Sequence, residues 1–343
     1  MSYGREEKSN FNWQNGDKRY YTLNQHLRHV FGDKVFKVSL DAGFTCPNRD
    51  GRVGTGGCIY CSARGSGDFA GQAEQSIHEQ FCEIKEVMNR KWSSAKYLAY
   101  FQAYTNTYAP LKRLQEVYEQ ALAEEGVVGL SIATRPDCLP VEVLDYLEEL
   151  NQRTYLWVEL GLQSIHDRTM EWVGRGHTYK DFLEGLDQLR RRNIRVCAHM
   201  IYGLPGETLE DMFSSAQTLA KLDVQGVKLH LLHVLKGTPL ADIYEQSPFP
   251  LLTQDEYIQL ICDTLEILPA QTVIHRLTGD APRKDLLAPL WSLKKWEVLN
   301  AIDRELERRG TWQGKKAQNK TADTTHSINE VELAVTSLAT QVF

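Results

Sequence analysis

No stretch of this 343-residue chain holds the roughly 18 consecutive apolar residues that a bilayer-crossing helix requires. The N-terminal MSYGREEKSNFNWQNGDKRYY also lacks the apolar core of a secretory leader, so a cytoplasmic protein with no membrane partner is expected. Cysteine is too sparse for a disulfide framework: there are seven, an odd number, scattered over more than 200 positions. In a reducing compartment, cysteines that do cluster more often bind metal than pair with each other. Positive charge is likewise not in excess. The chain carries 39 Lys and Arg against 45 Asp and Glu, a net charge of −6, which argues against broad electrostatic attraction to nucleic acid and leaves room for a local basic face. No internal repeat is visible.

What is present is an alternation. Short β-branched and aromatic runs at 35–40, 96–103, 128–134, 155–160, 195–202, 226–234 and 273–277 read as strands. Amphipathic stretches at 76–89, 112–124, 140–152, 165–172, 179–191, 208–222 and 254–268 read as the helices between them. Strands separated by helices of this length form βαβ units on a parallel sheet, and about six such units close most naturally into a barrel or partial barrel. The expectation is an α/β fold, a partial (β/α)6-type TIM barrel over 35–280. Residues 1–34 would cap it and 281–316 would form a helical extension, with one long amphipathic helix over 286–309. Residues 317–343 read as a flexible tail, with 328–342 able to form a short docking helix. In such barrels chemistry sits at the C-terminal ends of the strands.

The most informative segment lies just after the first strand: Cys46-Pro-Asn-Arg-Asp-Gly-Arg-Val-Gly-Thr-Gly-Gly-Cys58-Ile-Tyr-Cys61. Three cysteines on a glycine-rich loop can converge on one inorganic centre. Three ligands are one short of a closed structural zinc shell, and His26, His29 and His78 have no finger-like spacing. A zinc loop completed by a distant His, buried free thiols, and a 4Fe-4S cluster with one open iron all remain readings at this point. Cys82, Cys138, Cys197 and Cys262 fall inside helix or strand patterns and read as small apolar residues.

The later strand ends carry polar or glycine-bearing clusters: Tyr100-Phe-Gln-Ala-Tyr-Thr-Asn-Thr-Tyr108, Ala133-Thr-Arg-Pro-Asp137, Glu159-Leu-Gly-Leu-Gln-Ser164 and His199-Met-Ile-Tyr-Gly-Leu-Pro-Gly-Glu-Thr208. With the cysteine loop in this order and spacing, the sequence resembles the radical S-adenosylmethionine (SAM) superfamily, and more narrowly its Elongator-like YhcC/YtqA group, over about residues 17–316. The long gap between Cys46 and Cys58 departs from the commonest superfamily pattern and suits that group. The resemblance implies a radical SAM core in which Cys46, Cys58 and Cys61 ligate a 4Fe-4S cluster and Tyr60 lies against the adenine of SAM. It further implies that Gln102 and the nearby backbone meet the methionine amino group, although the glycines usual there are missing. Gln163 and Ser164 would hold the ribose or methionyl end, Arg175 the carboxylate, and the backbone from Met200 to Gly203 the adenine.

Arg135 beside Asp137 can orient SAM or grip a phosphate bidentately, or the two can form a structural pair. Alternation along the sixth strand puts Lys228 and His230 on one face and His233 on the other, making Lys228, His230 and Lys236 candidate substrate contacts near the barrel mouth. The resemblance also implies the substrate: Elongator-like proteins act on the wobble uridine of tRNA, and MnmL-type members of the group are associated with its 5-aminomethyl modification. The expected reaction shortens 5-carboxymethylaminomethyl(-2-thio)uridine to 5-aminomethyl(-2-thio)uridine by hydrogen abstraction with a 5′-deoxyadenosyl radical, an electron donor such as flavodoxin or ferredoxin supplying the electron. Little beyond a helix and a tail follows the barrel, so acetyl-CoA chemistry is not expected. Two alternatives stay open: a radical SAM enzyme like the coproporphyrinogen oxidases, acting on a small molecule, or a non-enzymatic zinc- or cluster-bearing RNA-binding protein. Between Arg283 and Lys316 nine basic residues face five acidic ones, and Arg190 to Arg195 is a second basic run. Both are candidate phosphate contacts for the anticodon region, with Trp or Tyr stacking on unpaired bases.

Overall fold

The computed structural model describes residues 18–90 and 96–317. Its strands are β1 (Val35–Leu40), β2 (Lys96–Phe101), β3 (Val127–Thr134), β4 (Tyr155–Gln163), β5 (Arg195–Tyr202), β6 (Gly226–Leu231), a short β7 (Val234–Leu235), β8 (Val273–Arg276) and β9 (Leu286–Ala288). All but β7 and β9 form one parallel sheet in the order β1-β2-β3-β4-β5-β6-β8. The helices are α1 (Leu23–Phe31), α2 (Ile77–Asn89), α3 (Leu111–Leu122), α4 (Val141–Arg153), α5 (Asp167–Trp172), α6 (Tyr179–Arg191), α7 (Leu209–Lys221), α8 (Pro239–Gln246), α9 (Gln254–Ile267) and α10 (Lys295–Arg308). Local chemistry sets many of the helix starts. Ser76, Thr178, Thr208 and Thr253 each close a capping box, satisfying backbone N–H groups that the first helical turn leaves unpaired.

Alternation divides each strand between two environments. In β4, Leu156, Val158, Leu160 and Leu162 pack outward into the main core under the helices, with Val196 and Ala198 of β5 and Val227 and Leu229 of β6. The other parity faces inward. The sheet is curled into a partial barrel, so Lys37 of β1 and Lys228 of β6 both reach Glu159 of β4. The end where the strands begin is plugged by Tyr21, Leu27, Val35, Leu98, Tyr155, Trp157, Cys197 and Val273. Helix α1 lies across this plug, with the His26 ring against Tyr155 and Trp157, and Ile274 donates its N–H to the Tyr21 carbonyl at 2.8 Å. The lumen therefore opens towards the strand C-termini.

Close approach needs a glycine at one point of this sheet. A Cβ on Gly129 in β3 would stand 2.0 Å from the Tyr155 carbonyl oxygen and 2.8 Å from its Cβ. Neither atom can swing aside, so Gly129→Ala is expected to cost about 1–3 kcal/mol as overpacking. A lowered urea midpoint with an unchanged slope would register it.

One expected element breaks. The helix read over 286–309 is instead β9, which pairs antiparallel with β7, then Pro289, a 3-10 turn over Leu290–Leu293, and α10. Pro289 lacks the helical N–H donor and disfavours helical backbone at the residue before it, so no helix runs through it. The apolar face rotates with the break: Val298, Ile302 and Leu306 are buried, whereas Leu290 is 62% and Trp296 75% exposed. Residues 1–17 of the expected cap, the docking helix over 328–342 and the tail beyond 317 lie outside the described residues.

Candidate active site

The cysteine loop leaves β1 and is folded by its own backbone. The Pro47 carbonyl accepts N–H groups from Val53 and Gly54, the Asn48 carbonyl accepts that of Gly57, and the Cys61 N–H closes a turn onto the Cys58 carbonyl at 2.9 Å. Gly57 takes φ +77°, a left-handed conformation that glycine adopts freely. The loop is pinned to the segment after α5, since Ile59 donates to the Val173 carbonyl at 3.0 Å. Buried Asn48 donates to the Gly174 carbonyl at 2.5 Å and lies 3.7 Å from Cys58 Sγ.

Cys46, Cys58 and Cys61 are free and half-buried. A hydrogen bond with Cys61 pulls the Cys58 thiol down to about 6; burial opposes this, while Tyr60, Arg135 and Asn48 reinforce it. The same hydrogen bond, with burial, pushes the Cys61 thiol well above its ordinary value, so Cys58 is the member of the pair held as the thiolate. Ligands of one tetrahedral zinc ion at 2.3 Å stand within about 3.8 Å of each other. Among the described residues, the only set of three ligand atoms within 4.8 Å of one another is His78, Cys82 and Glu124. The three loop sulfurs therefore do not all lie within 4.8 Å of one another, although Cys58 and Cys61 are hydrogen-bonded, so the loop is not closed around a single zinc ion.

The residues around the loop divide into clamps and open groups. Arg135, at the end of β3, spends four of its five N–H donors inside the protein: two on Asp137 at 2.9 and 2.8 Å, one on the Arg175 carbonyl at 2.6 Å and one on the Gly176 carbonyl at 3.0 Å. It is therefore chiefly the structural partner of Asp137, holding the segment that holds the cysteine loop. The Gln102 amide is bonded to the Ser66 carbonyl at 2.8 Å, and the Tyr104 N–H to the Gly65 carbonyl. The end of β2 thus straps the chain that follows Cys61. Ser164 donates to Glu207 at 2.5 Å. Burial raises the Glu207 carboxyl above its ordinary range, with the Ser164 hydrogen bond opposing. Met200 turns its side chain into the outer core, so it offers the lumen only backbone. Gly203 takes φ +87° and commits its N–H to Met212 Sδ at 3.3 Å.

Two groups stay open. Arg175, expected to meet the SAM carboxylate, is 1% exposed. It donates to the carbonyls of His177, Leu162 and Ser164, while its Nη2 has no hydrogen-bond partner among the described residues and only a long ion pair, 3.7 Å, to Asp167 Oδ1. Burial brings this guanidinium down to about 10, with Tyr60, Asp167 and Cys58 pulling it back up. Gln163 ends β4 at φ +59°, where the β4–β5 register shifts, and its buried Oε1 also lacks a partner. A left-handed non-glycine residue stores about 1–3 kcal/mol of strain, as ligand sites often do. An unsatisfied donor and an unsatisfied acceptor beside three thiols fit a ligand carrying a carboxylate, an amine and hydroxyls. Tyr60 packs with Met170, Val173, Leu204 and Leu240.

Below this rim lies a polar ring to which every strand of the sheet contributes. Glu159 is fully buried and is paired with Lys37 and Lys228. It also accepts from His199 Nε2 at 2.8 Å and from the Ser131 hydroxyl at 2.7 Å, while His275 Nδ1 lies 3.8 Å away. The Tyr100 hydroxyl accepts from Lys228 at 2.9 Å. Burial pushes the Glu159 carboxyl up, but Lys228 and Lys37, helped by His199 and His275, hold it well below the ordinary range. Burial lowers Lys228 to about 8 and keeps His230 neutral. His230 and His233 do not point apart as alternation predicts. Both rings face Gly279, because β6 ends at Leu231 and strand alternation stops there. Lys37, Glu159, His199 and His275 escaped the sequence reading. The available signal was charge at lumen-facing positions of parallel strands, which are normally apolar throughout.

The basic faces are less open than their composition suggests. Lys294, Lys295, Arg308, Arg309 and Lys316 pair with neighbouring acids. Arg283, Lys284, Arg304 and Lys315 have no ion pair among the described residues. The run at 190–195 leads into the start of β5, at the plugged end of the barrel, away from the mouth. No helix among the described residues is long and apolar enough to cross a membrane.

Residues 49–219 match the model of the Radical SAM superfamily, and 224–308 that of the Radical_SAM C-terminal domain. The protein YtqA of Bacillus subtilis (strain 168) is 56% identical over 305 residues, 89% of this chain and 95% of YtqA. The tRNA uridine(34) acetyltransferase of Methanocaldococcus jannaschii is 26% identical over 203 residues, 58% of this chain and 36% of that protein. The solved archaeal Methanocaldococcus infernus Elp3 with an N-terminal deletion shares the fold, with a TM-score of 0.60 at 19% identity over 81% of this chain and 64% of that one. A cysteine loop at the open end of a partial barrel and a near-full-length match to YtqA agree: the chain belongs to the radical SAM superfamily, in its Elongator-like group, whose cofactors are a 4Fe-4S cluster and SAM.

Proposed function

We propose that this enzyme modifies the wobble uridine of tRNA, converting 5-carboxymethylaminomethyl(-2-thio)uridine to the 5-aminomethyl nucleoside. The observation that most supports the substrate is the match to a relative named tRNA uridine(34) acetyltransferase. When bound, the cluster and SAM supply a 5′-deoxyadenosyl radical that takes a hydrogen atom from the substrate. On the arm, the carbon beside the carboxylate loses that hydrogen and one further electron, leaving a C=N bond that water splits into the aminomethyl group and glyoxylate. In that balance bound SAM would be the net oxidant, ending as methionine and 5′-deoxyadenosine, and the priming electron from flavodoxin or ferredoxin would be returned.

In this reading Cys46, Cys58 and Cys61 hold the cluster, and Tyr60 lies against the adenine together with backbone of Met200 to Gly203. The open Nη2 of Arg175 meets the SAM carboxylate, and Gln163 the ribose or methionyl end. Arg135, Gln102 and Ser164 act as positioning residues, because their polar atoms are engaged in holding the rim. Lys228 and His230 face the substrate from below. Exposed Trp296 and Leu290, with Arg283 and Lys284 nearby in the chain, offer stacking and phosphate contacts to the anticodon region.

Reconstituted enzyme incubated with SAM, reductant and tRNA carrying the arm should yield 5′-deoxyadenosine, the shortened nucleoside and glyoxylate in equal amounts. An unchanged nucleoside pool would sink the reading. Binding of that tRNA should weaken steeply between low and moderate salt; a flat response would remove the phosphate contacts.

A further inference from the structure

The ring inside the barrel carries a charge imbalance. Glu159 is the only acidic residue in the seven strands of the sheet, yet it faces two ammonium groups, those of Lys37 and Lys228. The other groups turned towards it leave the sum unchanged. Tyr100 and Ser131 are neutral, and burial holds His199 and His275 to about 4 and 3, so both are uncharged at neutral pH. Arg276 of β8, on the rim side, lies 3.6 Å from Asp280, a carboxylate it shares with Lys295 at 2.6 Å, so the rim supplies no spare negative charge. One positive charge at the floor of the lumen is therefore uncompensated by the strands that enclose it. A buried charge of this kind is costly without a counter-charge.

Access is one-sided. Glu159 is fully covered, whereas the side chains of Lys37 and His199 keep 17% and 18% of their surface. Tyr155, Trp157 and their neighbours seal the lumen below the ring, so that surface faces the open end, where the cysteine loop lies. His199 Nε2 is occupied by Glu159 at 2.8 Å, and Lys37 Nζ is steadied by Ser131 at 3.1 Å and by the Tyr100 ring at 4.6 Å. The exposed edge of the ring is thus an oriented ammonium group without a second anion.

We propose that Lys37, backed by Lys228, is the specificity-determining residue that pairs with a carboxylate on the substrate. On the wobble-uridine reading, on which this inference rests, that carboxylate is the end of the carboxymethyl arm. Its capture at the lumen floor holds the adjacent C–H bond between the ring and the rim. The product lacks the carboxylate and loses this anchor, which favours its release.

The test compares holoenzyme turnover on tRNA whose arm ends in a carboxylate with tRNA whose arm ends in a carboxamide. Wild type should prefer the acid in kcat/KM by about 10-fold to 100-fold, the usual size of one charge-assisted hydrogen bond. Lys37→Met should erase the preference and Lys37→Arg should keep most of it. A folding defect would lower both substrates equally and leave the ratio intact, so a ratio unchanged in Lys37→Met overturns the proposal. Equal loss on both substrates would point instead to a nucleotide phosphate and would also overturn it. A second measurement is independent of the base. In the NMR spectrum of lysine-labelled protein, N-methylglycine, the arm without uridine, should shift a resonance that Lys37→Met removes, and N-methylglycinamide should not. If tRNA is not turned over but this shift is seen, the wobble-uridine reading fails and the carboxylate site stands; with no shift in wild type, the site falls.

Discussion

Alanine at Cys46, Cys58 or Cys61 is expected to abolish 5′-deoxyadenosine formation, while Cys262→Ala leaves it essentially intact. The three loop cysteines are all the cysteines on the segment between β1 and α2, and on the proposed assignment losing one would leave the cluster without one of its three protein ligands. Cys262 is fully buried on α9 with its Sγ 3.8 Å from the Ile302 carbonyl, far in the fold from the loop, and serves as a small core residue. Anaerobic reconstitution followed by iron and sulfide analysis separates loss of the cluster from loss of chemistry. About four irons and four sulfides per chain are expected in the parent, with a clear loss in each loop variant. Full iron content with undiminished SAM cleavage in Cys58→Ala would refute the assignment.

Glu159→Gln should be the most damaging single change in the barrel interior. It keeps the shape of the side chain but leaves Lys37 and Lys228 facing each other with no carboxylate between them. Breaking one side of a buried ion pair typically costs about 3–5 kcal/mol. The partial exposure of Lys37 favours the lower end of that range. The pH dependence carries the signature. Because the native carboxyl is held well below 4.5, its contribution is fully present above the unfolded value near 4.5 and declines below it. It is lost as the pH falls through the depressed native value. Urea midpoints of parent and variant should therefore differ widely at pH 7 and converge in acid. A gap that stays constant down to the acid limit would mean that the ring is held by packing rather than charge.

Much of the fold is legible locally. The bounds of β1, β5 and α6 follow directly from residue pattern, because alternation and helical period are properties of neighbouring residues. The break at Pro289 was equally local, and an apolar stripe running across it outweighed a breaker that should have been decisive. The site divides along the same line. A contiguous loop announces Cys46, Cys58 and Cys61. The roles of Arg135, Gln102 and Ser164 depend on what their polar atoms meet, and those partners include groups 40, 36 and 43 positions away in the chain. His233 shows the limit of periodicity, since alternation predicts direction only while the strand lasts.

The sequence by itself determined the order of elements, the parallel sheet and the position of the cysteine loop at the end of the first strand. Only the tertiary structure decided which lumen-facing residues share a level. Alternation tells which face a side chain is on but not its height. Height depends on the stagger accumulated over six strand pairings, three of which shift register, at Tyr97/Leu98, Gly161/Gln163 and Val227/Lys228. Curling of the sheet then brings Lys37, Glu159, Lys228 and His275 together from strands spread across almost the whole barrel. That convergence, which no local pattern encodes, sets two ammonium groups against one carboxylate below the cysteine loop.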